Sequence, residues 1–277
     1  MRRLIGRIAA YLTLILIGVV MLAPFAYLLL LSTKRRIEIV AQVPPTFDID
    51  WDQVSKNYRE VIDTQGMLTF VGNSIIVVGI ATLIALIVGT PAAYAFSRLR
   101  FRGRETWAST VLSFRFMPGV AVAIPIFLMI SFIGFQNSFP GLIVPYVAFT
   151  LPLVIWIMIG FFDEVPIEID DAARVDGCGR LQTLVRVLLP LVRSGLVVAA
   201  IFGAIFVWNE FLVALFVINS RSLFTITLGA ATLVSADRPI DWNIAAAVGI
   251  VTTIPIFIFS LFIQRYIVRG ITAGAVK

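Results

Sequence analysis

The chain predicts an all-α integral membrane protein with six transmembrane helices and a short surface helix between the fourth and fifth. Three observations carry this. Hydrophobic residues make up 60% and charged residues 14%, against roughly half and a quarter in soluble domains. Six apolar stretches, at 8–31, 70–96, 107–133, 142–162, 196–218 and 244–268, reach the roughly 20 residues a bilayer-crossing helix needs. Between the fourth and fifth lies a polar insert, 163–193. Lipid offers no hydrogen bonds, so each apolar stretch must bond its backbone internally and reads as a helix.

The first stretch follows Arg2, Arg3 and Arg7 as a signal peptide would. It is too long, however, and runs into Leu-Leu-Leu-Leu-Ser-Thr-Lys with no small-x-small site, so it reads as a retained helix. Pro91 sits in the second stretch, Pro118 and Pro125 in the third, Pro145 and Pro152 in the fourth, and Pro255 in the sixth. Each removes a backbone bond and can bend its helix, although proline is common in membrane helices. In the insert, Pro166 suits a first helical position, and Glu168, Asp170 and Asp171 place negative charge at the positive end of the dipole. Gly177 supplies a stop. A second helix follows over 180–189, with Leu181, Leu184, Val185 and Leu188 spaced as one apolar face, ending at Pro190. The insert is a helix–turn–helix held at a membrane surface.

No internal repeat or low-complexity linker divides the chain, so it reads as one domain, 1–277. With six spans both termini share a side. That side carries Arg2, Arg3, Arg7, Arg98, Arg100, Arg102, Arg104, the four arginines of the insert, Arg265, Arg269 and Lys277, fourteen basic residues against seven on the other. The excess places the termini and the insert in the cytoplasm. Lys34-Arg35-Arg36 is the one local signal against this, and it opens a longer segment, where charge counts for less.

One cysteine, Cys178, and no histidine exclude a disulfide framework and histidine-based zinc or nucleophile chemistry. None of the three lysines lies in a phosphate loop, so any ATP that drives this protein is bound by another chain. The net charge of +6 sits in short loops beside apolar spans. That is the pattern of membrane orientation, not of nucleic-acid binding. Two ionisable residues lie within spans, Arg115 about 12 Å and Glu210 about 20 Å from the cytoplasmic end at 1.5 Å per residue. Such groups face a bundle interior or a watery route. Arg115 either snorkels to the inner headgroups or pairs, whereas Glu210, beside Trp208 and Asn209, fits a polar translocation wall.

The run Asp171-Ala172-Ala173-Arg174-Val175-Asp176-Gly177, with Leu189-Pro190 after it, resembles the cytoplasmic "EAA" loop of ABC-importer permeases. It departs from that pattern in opening on Asp171 instead of Glu and in an aliphatic residue where a bulky aromatic is usual near Leu184. Asn73-Ser74, the run 91–97 (Pro-Ala-Ala-Tyr-Ala-Phe-Ser), Trp208-Asn-Glu-Phe211 and the 269–277 tail are similar to the maltose-type carbohydrate-uptake permeases. The resemblance implies that Glu168, Asp170, Asp171, Ala172, Ala173, Asp176 and Gly177 form a coupling helix that docks in a cleft of an ATP-hydrolysing subunit. It further implies a second permease subunit forming a heterodimer, two ATP-binding subunits that hold ATP and Mg, an extracytoplasmic solute-binding protein, and a bacterial inner membrane. The tail around Gly270 and Gly274 would reach the ATPase pair as a flexible segment.

The chain itself performs no catalysis and binds no cofactor or metal in this reading. It is a permease subunit for a sugar or sugar-like solute, opening alternately outward and inward. Candidate pathway residues are Arg115, Tyr146, Phe149, Trp208, Asn209 and Glu210, with Gln136 and Asn137 nearby in type, because aromatic faces beside polar groups suit carbohydrate. An ion-coupled secondary transporter is the alternative; one embedded carboxylate and no repeat speak against it. A membrane scaffold is the third reading, which the elaborate 163–193 insert disfavours.

Overall fold

The computed structural model of the chain describes residues 2–41, 46–233 and 241–274, with side chains described in 6–41, 46–233 and 241–261. All regular structure among them is helical. Four helices are long and apolar enough to cross a membrane, or up to six if each of two bent pairs counts as one span. Contacts group the chain into two units, Met1–Leu68 with Gly229–Pro255, and Thr69–Leu228 with Ile256–Lys277.

The first unit holds α1 (Arg2–Ser32), α2 (Arg36–Ala41) and α3 (Trp51–Arg59), the last continued by a π-helical turn at Glu60–Thr64. Its polar hub is Asn57, only 2% exposed. The Asn57 amide donates to the Ser32 and Lys34 carbonyls at 2.9 and 3.0 Å and accepts from Gln53 and Asn243 at 2.8 and 3.0 Å. The basic cluster Lys34-Arg35-Arg36 is engaged in the same unit. Lys34 is buried and donates to the Asp48 carbonyl, Arg35 pairs with Asp50 at 2.8 Å, and Arg36 pairs with Asp241 at 3.0 Å. Asp50 also caps α3, accepting from the Asp52 and Gln53 N–H groups, and its hydrogen bond to Arg35 holds its carboxyl below the ordinary value.

The second unit is built on α4 (Met67–Arg98) and α7 (Phe139–Asp163), with α5 (Arg104–Ser113) and α6 (Gly119–Phe132) between them. The expected uninterrupted third span, 107–133, is corrected here. Its two halves meet at 97°, because Pro118 has no N–H and forces Met117 into extended backbone at φ −68°, ψ 129°.

After α8 (Glu168–Val175), the 180–189 helix is also corrected, since the chain stays helical through Pro190. It runs as α9 (Arg180–Gln182), a π-helical stretch Thr183–Leu188 and α10 (Leu189–Leu191). The Leu189 N–H bonds the Leu184 carbonyl, one residue beyond the α spacing. That wider turn keeps Leu184 and Leu188 buried but leaves Leu181 and Val185 70% and 51% exposed, so the even apolar face read from the sequence splits.

The fifth span, expected unbroken over 196–218, is likewise interrupted. An 83° bend precedes α11 (Arg193–Trp208), which stops before Asn209-Glu-Phe211, and the short α12 (Leu212–Val217) follows. Two side chains cause the break. The Asn209 amide donates back to the Ile205 carbonyl at 2.7 Å, and both Glu210 carboxylate oxygens accept the Val213 N–H at 3.1 Å, which caps a new helix. α13 (Ile226–Leu233) and α14 (Trp242–Gly274) complete the chain. The backbone of 269–274 continues α14 as helix instead of forming the flexible segment that Gly270 and Gly274 predict; residues 275–277, and Arg238 among the seven basic residues of the other side, lie outside the described residues.

Small residues let α7 approach its neighbours. A Cβ on Gly89 of α4 would meet Val154 at 2.8 Å, and one on Gly195 of α11 would meet the Phe161 ring. Gly141, just inside α7, is tighter still, since its Cβ would collide with the Phe135 carbonyl and reach Val217 at 3.0 Å. Gly141→Ala is expected to cost about 1–3 kcal/mol through overpacking against backbone that cannot step aside. Gly72→Ala, where nothing lies within 4 Å, should be neutral. Thermal unfolding of the detergent-extracted chain checks this, and equal melting points for the two variants would contradict the packing account.

Candidate functional site

The first candidate surface is the 163–193 insert. Regular helix begins at Glu168, two residues later than Pro166 suggests, with Ile167 at the cap. Gly177 ends it at φ +83°, the left-handed region that glycine enters without strain. The eight-residue α8 has two unlike faces. Glu168, Asp171, Ala172 and Val175 face outward, with Asp176 and Gly177 exposed at its end, whereas Asp170 and Ala173 are buried at 1% and 5%. The Asp171 side chain pairs with Arg174 at 3.5 Å.

Asp170 therefore departs from the docking set read from the sequence, and Ala173 with it. The Asp170 carboxylate turns into its own chain and pairs with Arg98 of α4 at 3.2 Å, with side chains 1% and 6% exposed. The Tyr94 hydroxyl lies 3.5 Å from its other oxygen. Arg98 was not singled out from the sequence. The available signal was that Asp170 shares a helical face with Ala173, three residues on, while Arg98 closes the Pro-Ala-Ala-Tyr-Ala-Phe-Ser run. Beneath the loop, a cluster of Ala93, Tyr94, Met158, Phe162, Leu184 and Leu188 fixes the insert against α4 and α7.

The second candidate is a cavity of about 570 Å³ beside the break in the fifth span. Arg115, Phe149, Asn209 and Glu210 line it together with Phe202 and Phe206. The Arg115 guanidinium stacks 4.0 Å from the Phe206 ring centroid. Glu210 is engaged as the cap of α12 and receives the Thr227 hydroxyl on its backbone carbonyl at 2.8 Å. No ion pair joins Arg115 to Glu210 among the described residues. Aromatic faces, one amide and two opposite charges on one wall suit a hydroxylated solute, which stacks through its C–H face and bonds through its hydroxyls.

The structure separates the other two pathway residues from this wall. Trp208 is buried and meets Phe259 edge-on at 6.2 Å, lining a different, apolar cavity of about 520 Å³ with Thr82 and Ile256. One step along a helix turns a side chain by about 100°, so neighbours Trp208 and Asn209 look different ways. Tyr146 is 1% exposed and is not among the residues that line the cavity. Asn137 is a loop lock at φ +52°, accepting from the Asn219 and Ser220 N–H groups at 3.0 and 2.8 Å, and Gln136 is exposed. Asn73 and Ser74 are fasteners too. The Asn73 amide donates to the Ser222 and Phe224 carbonyls at 2.8 and 2.9 Å, and the Ser74 hydroxyl accepts from the Ile226 N–H at 2.8 Å.

The family described as the binding-protein-dependent transport system inner membrane component matches residues 81–273. The chain belongs to this family. It is an inner-membrane permease with several apolar helices. The permease is 32% identical to the trehalose/maltose transport system permease protein MalG of Thermococcus litoralis over 277 residues, covering 98% of this chain and 97% of that protein. It is 36% identical to the trehalose transport system permease protein SugB of Mycobacterium tuberculosis over 236 residues, covering 85% and 84%. Its fold matches a chain in the crystal structure of a bacterial ABC transporter involved in the import of the acidic polysaccharide alginate, with a TM-score of 0.78 at 23% identity, over 95% of this chain and 96% of that one.

Proposed function

We propose that this permease is one transmembrane subunit of an ATP-driven importer for a sugar or sugar-like solute. The observation that carries the reading is similarity over nearly the whole chain to permeases named for trehalose and maltose. Six spans follow if α5 with α6 crosses once and α11 with α12 crosses once. The termini and the 163–193 insert are cytoplasmic, which the fourteen-to-seven basic excess supports.

A second permease, two ATP-binding subunits holding ATP and Mg, and an extracytoplasmic binding protein complete the assembly. The face of α8 that carries Glu168, Asp171 and Ala172, with Asp176 and Gly177 at its end, meets an ATPase subunit. Closure of the ATPases upon ATP rocks the helices as rigid bodies, and the cavity of Arg115, Phe149, Asn209 and Glu210 is exposed to each side in turn. Uptake of radiolabelled trehalose and maltose by the reconstituted assembly tests this. It should require ATP and binding protein and persist when the membrane potential is collapsed; uptake that follows the potential would favour an ion-coupled transporter.

Cys178 reports the orientation. It is the only thiol and is partly exposed at the α8 turn. A membrane-impermeant maleimide is expected to spare it in intact cells and to label it in inverted vesicles stripped of ATPase. Labelling from outside would reverse the topology.

A further inference from the structure

We infer that Arg98 and Asp170 are positioning residues that make α4 the strut through which movement of the insert reaches the opposite end of the second unit. The inference deepens the importer reading and rests on it. The cytoplasmic end of α4 grips the insert at three points. The Ser97 hydroxyl donates to Asp163, one Arg98 nitrogen donates to the Val165 carbonyl at 2.6 Å, and another pairs with Asp170 at 3.2 Å. Arg104 closes the set by donating to the Ser97 carbonyl at 3.3 Å.

The far end of α4 is gripped as well. Asn73 and Ser74 hold the backbone of 222–226 through three hydrogen bonds of 2.8 to 2.9 Å. Between the two grips α4 is continuous helix, Met67–Arg98, about 1.5 Å long per residue. A displacement of α8 therefore cannot leave the end of α4 behind without breaking a buried ion pair.

Chemistry explains why an ion pair serves here. The other acids of α8, Glu168 and Asp171, are exposed, and only Asp170 turns inward. A buried charge pair adds little stability over apolar packing of the same volume, but it tolerates one register only, because a slip leaves both charges unpaired. Apolar packing between the insert and α4 holds the two together but selects register less sharply than a charge pair. The Arg98–Asp170 pair adds that selectivity.

The test uses the complete reconstituted assembly and reads complex yield and solute carried per ATP hydrolysed. Removing one partner leaves an unpaired buried charge and lowers yield in itself, so the informative variant is the double Arg98→Met/Asp170→Asn, which removes both charges. It is expected to recover yield and to hydrolyse ATP while carrying roughly tenfold less solute per ATP, within the range of typical coupling energies. Arg98→Lys, which keeps the charge but not the fork to Val165, should fall between this variant and wild type. If the double variant recovers coupling together with yield, or loses transport only in proportion to yield, the pair is structural and the strut is overturned. A wild-type assembly whose solute does not stimulate ATP hydrolysis would overturn the importer reading and the strut together, whereas a coupled wild type with fully coupled variants overturns the strut alone.

Discussion

Replacing Asp171 with alanine in the assembled transporter is expected to lower uptake about thirtyfold, the effect of losing one charged anchor worth about 2 kcal/mol at an interface. Insertion of this permease should not change. The Asp171 side chain is 64% exposed and, among the described residues, pairs with Arg174 at 3.5 Å within its own helix, so its loss leaves the packing of the insert in place. Its neighbour offers the contrast. Asp170→Ala would unpair a buried Arg98 and reduce the amount of folded protein first. Gly177→Val should match the Asp171 phenotype for another reason, since φ +83° is a conformation β-branched residues avoid and the turn after α8 would reopen. The measurement is solute-stimulated ATP hydrolysis alongside uptake, normalised to assembled complex. Normal stimulation in both Asp171→Ala and Gly177→Val would reduce the insert to a connector.

Glu210→Gln is expected to keep assembly near the wild-type level and to lower uptake by about tenfold, equivalent to 1.4 kcal/mol in the transport barrier. Glutamine retains a side-chain oxygen for the Val213 N–H, so the cap on α12 survives while the charge beside the cavity disappears. Glu210→Ala removes the cap also, which costs about 1 kcal/mol more, and should reduce both yield and uptake. Arg115→Met should not rescue Glu210→Gln, because Arg115 rests on the Phe206 ring at 4.0 Å and not on this carboxylate. Rescue in the double variant would show a charge pair with a structural role. Wild-type uptake by Glu210→Gln would remove the residue from the pathway.

Residue chemistry by itself determined the membrane class, the positions of the apolar stretches and the polar insert with its stop at Gly177. Lipid cannot satisfy a backbone, so an apolar stretch of that length is built from helix, broken or whole, and a left-handed turn favours glycine. The matching runs Asp171 to Gly177 and Trp208 to Phe211 were legible for the same local reason.

What those runs do in space was decided by tertiary structure. Hydropathy averages over a stretch, so the breaks at Pro118 and at Asn209-Glu-Phe211 leave no trace in it; prolines in α4 and α7 interrupt neither helix. Three acids in the first turn of α8 look alike in sequence, yet only Asp170 turns inward, because Arg98 waits on α4 to receive it. Trp208 and Asn209 are adjacent along the chain and line different cavities. A side chain's direction is set by what packs against its helix, and those neighbours come from residues far away in sequence.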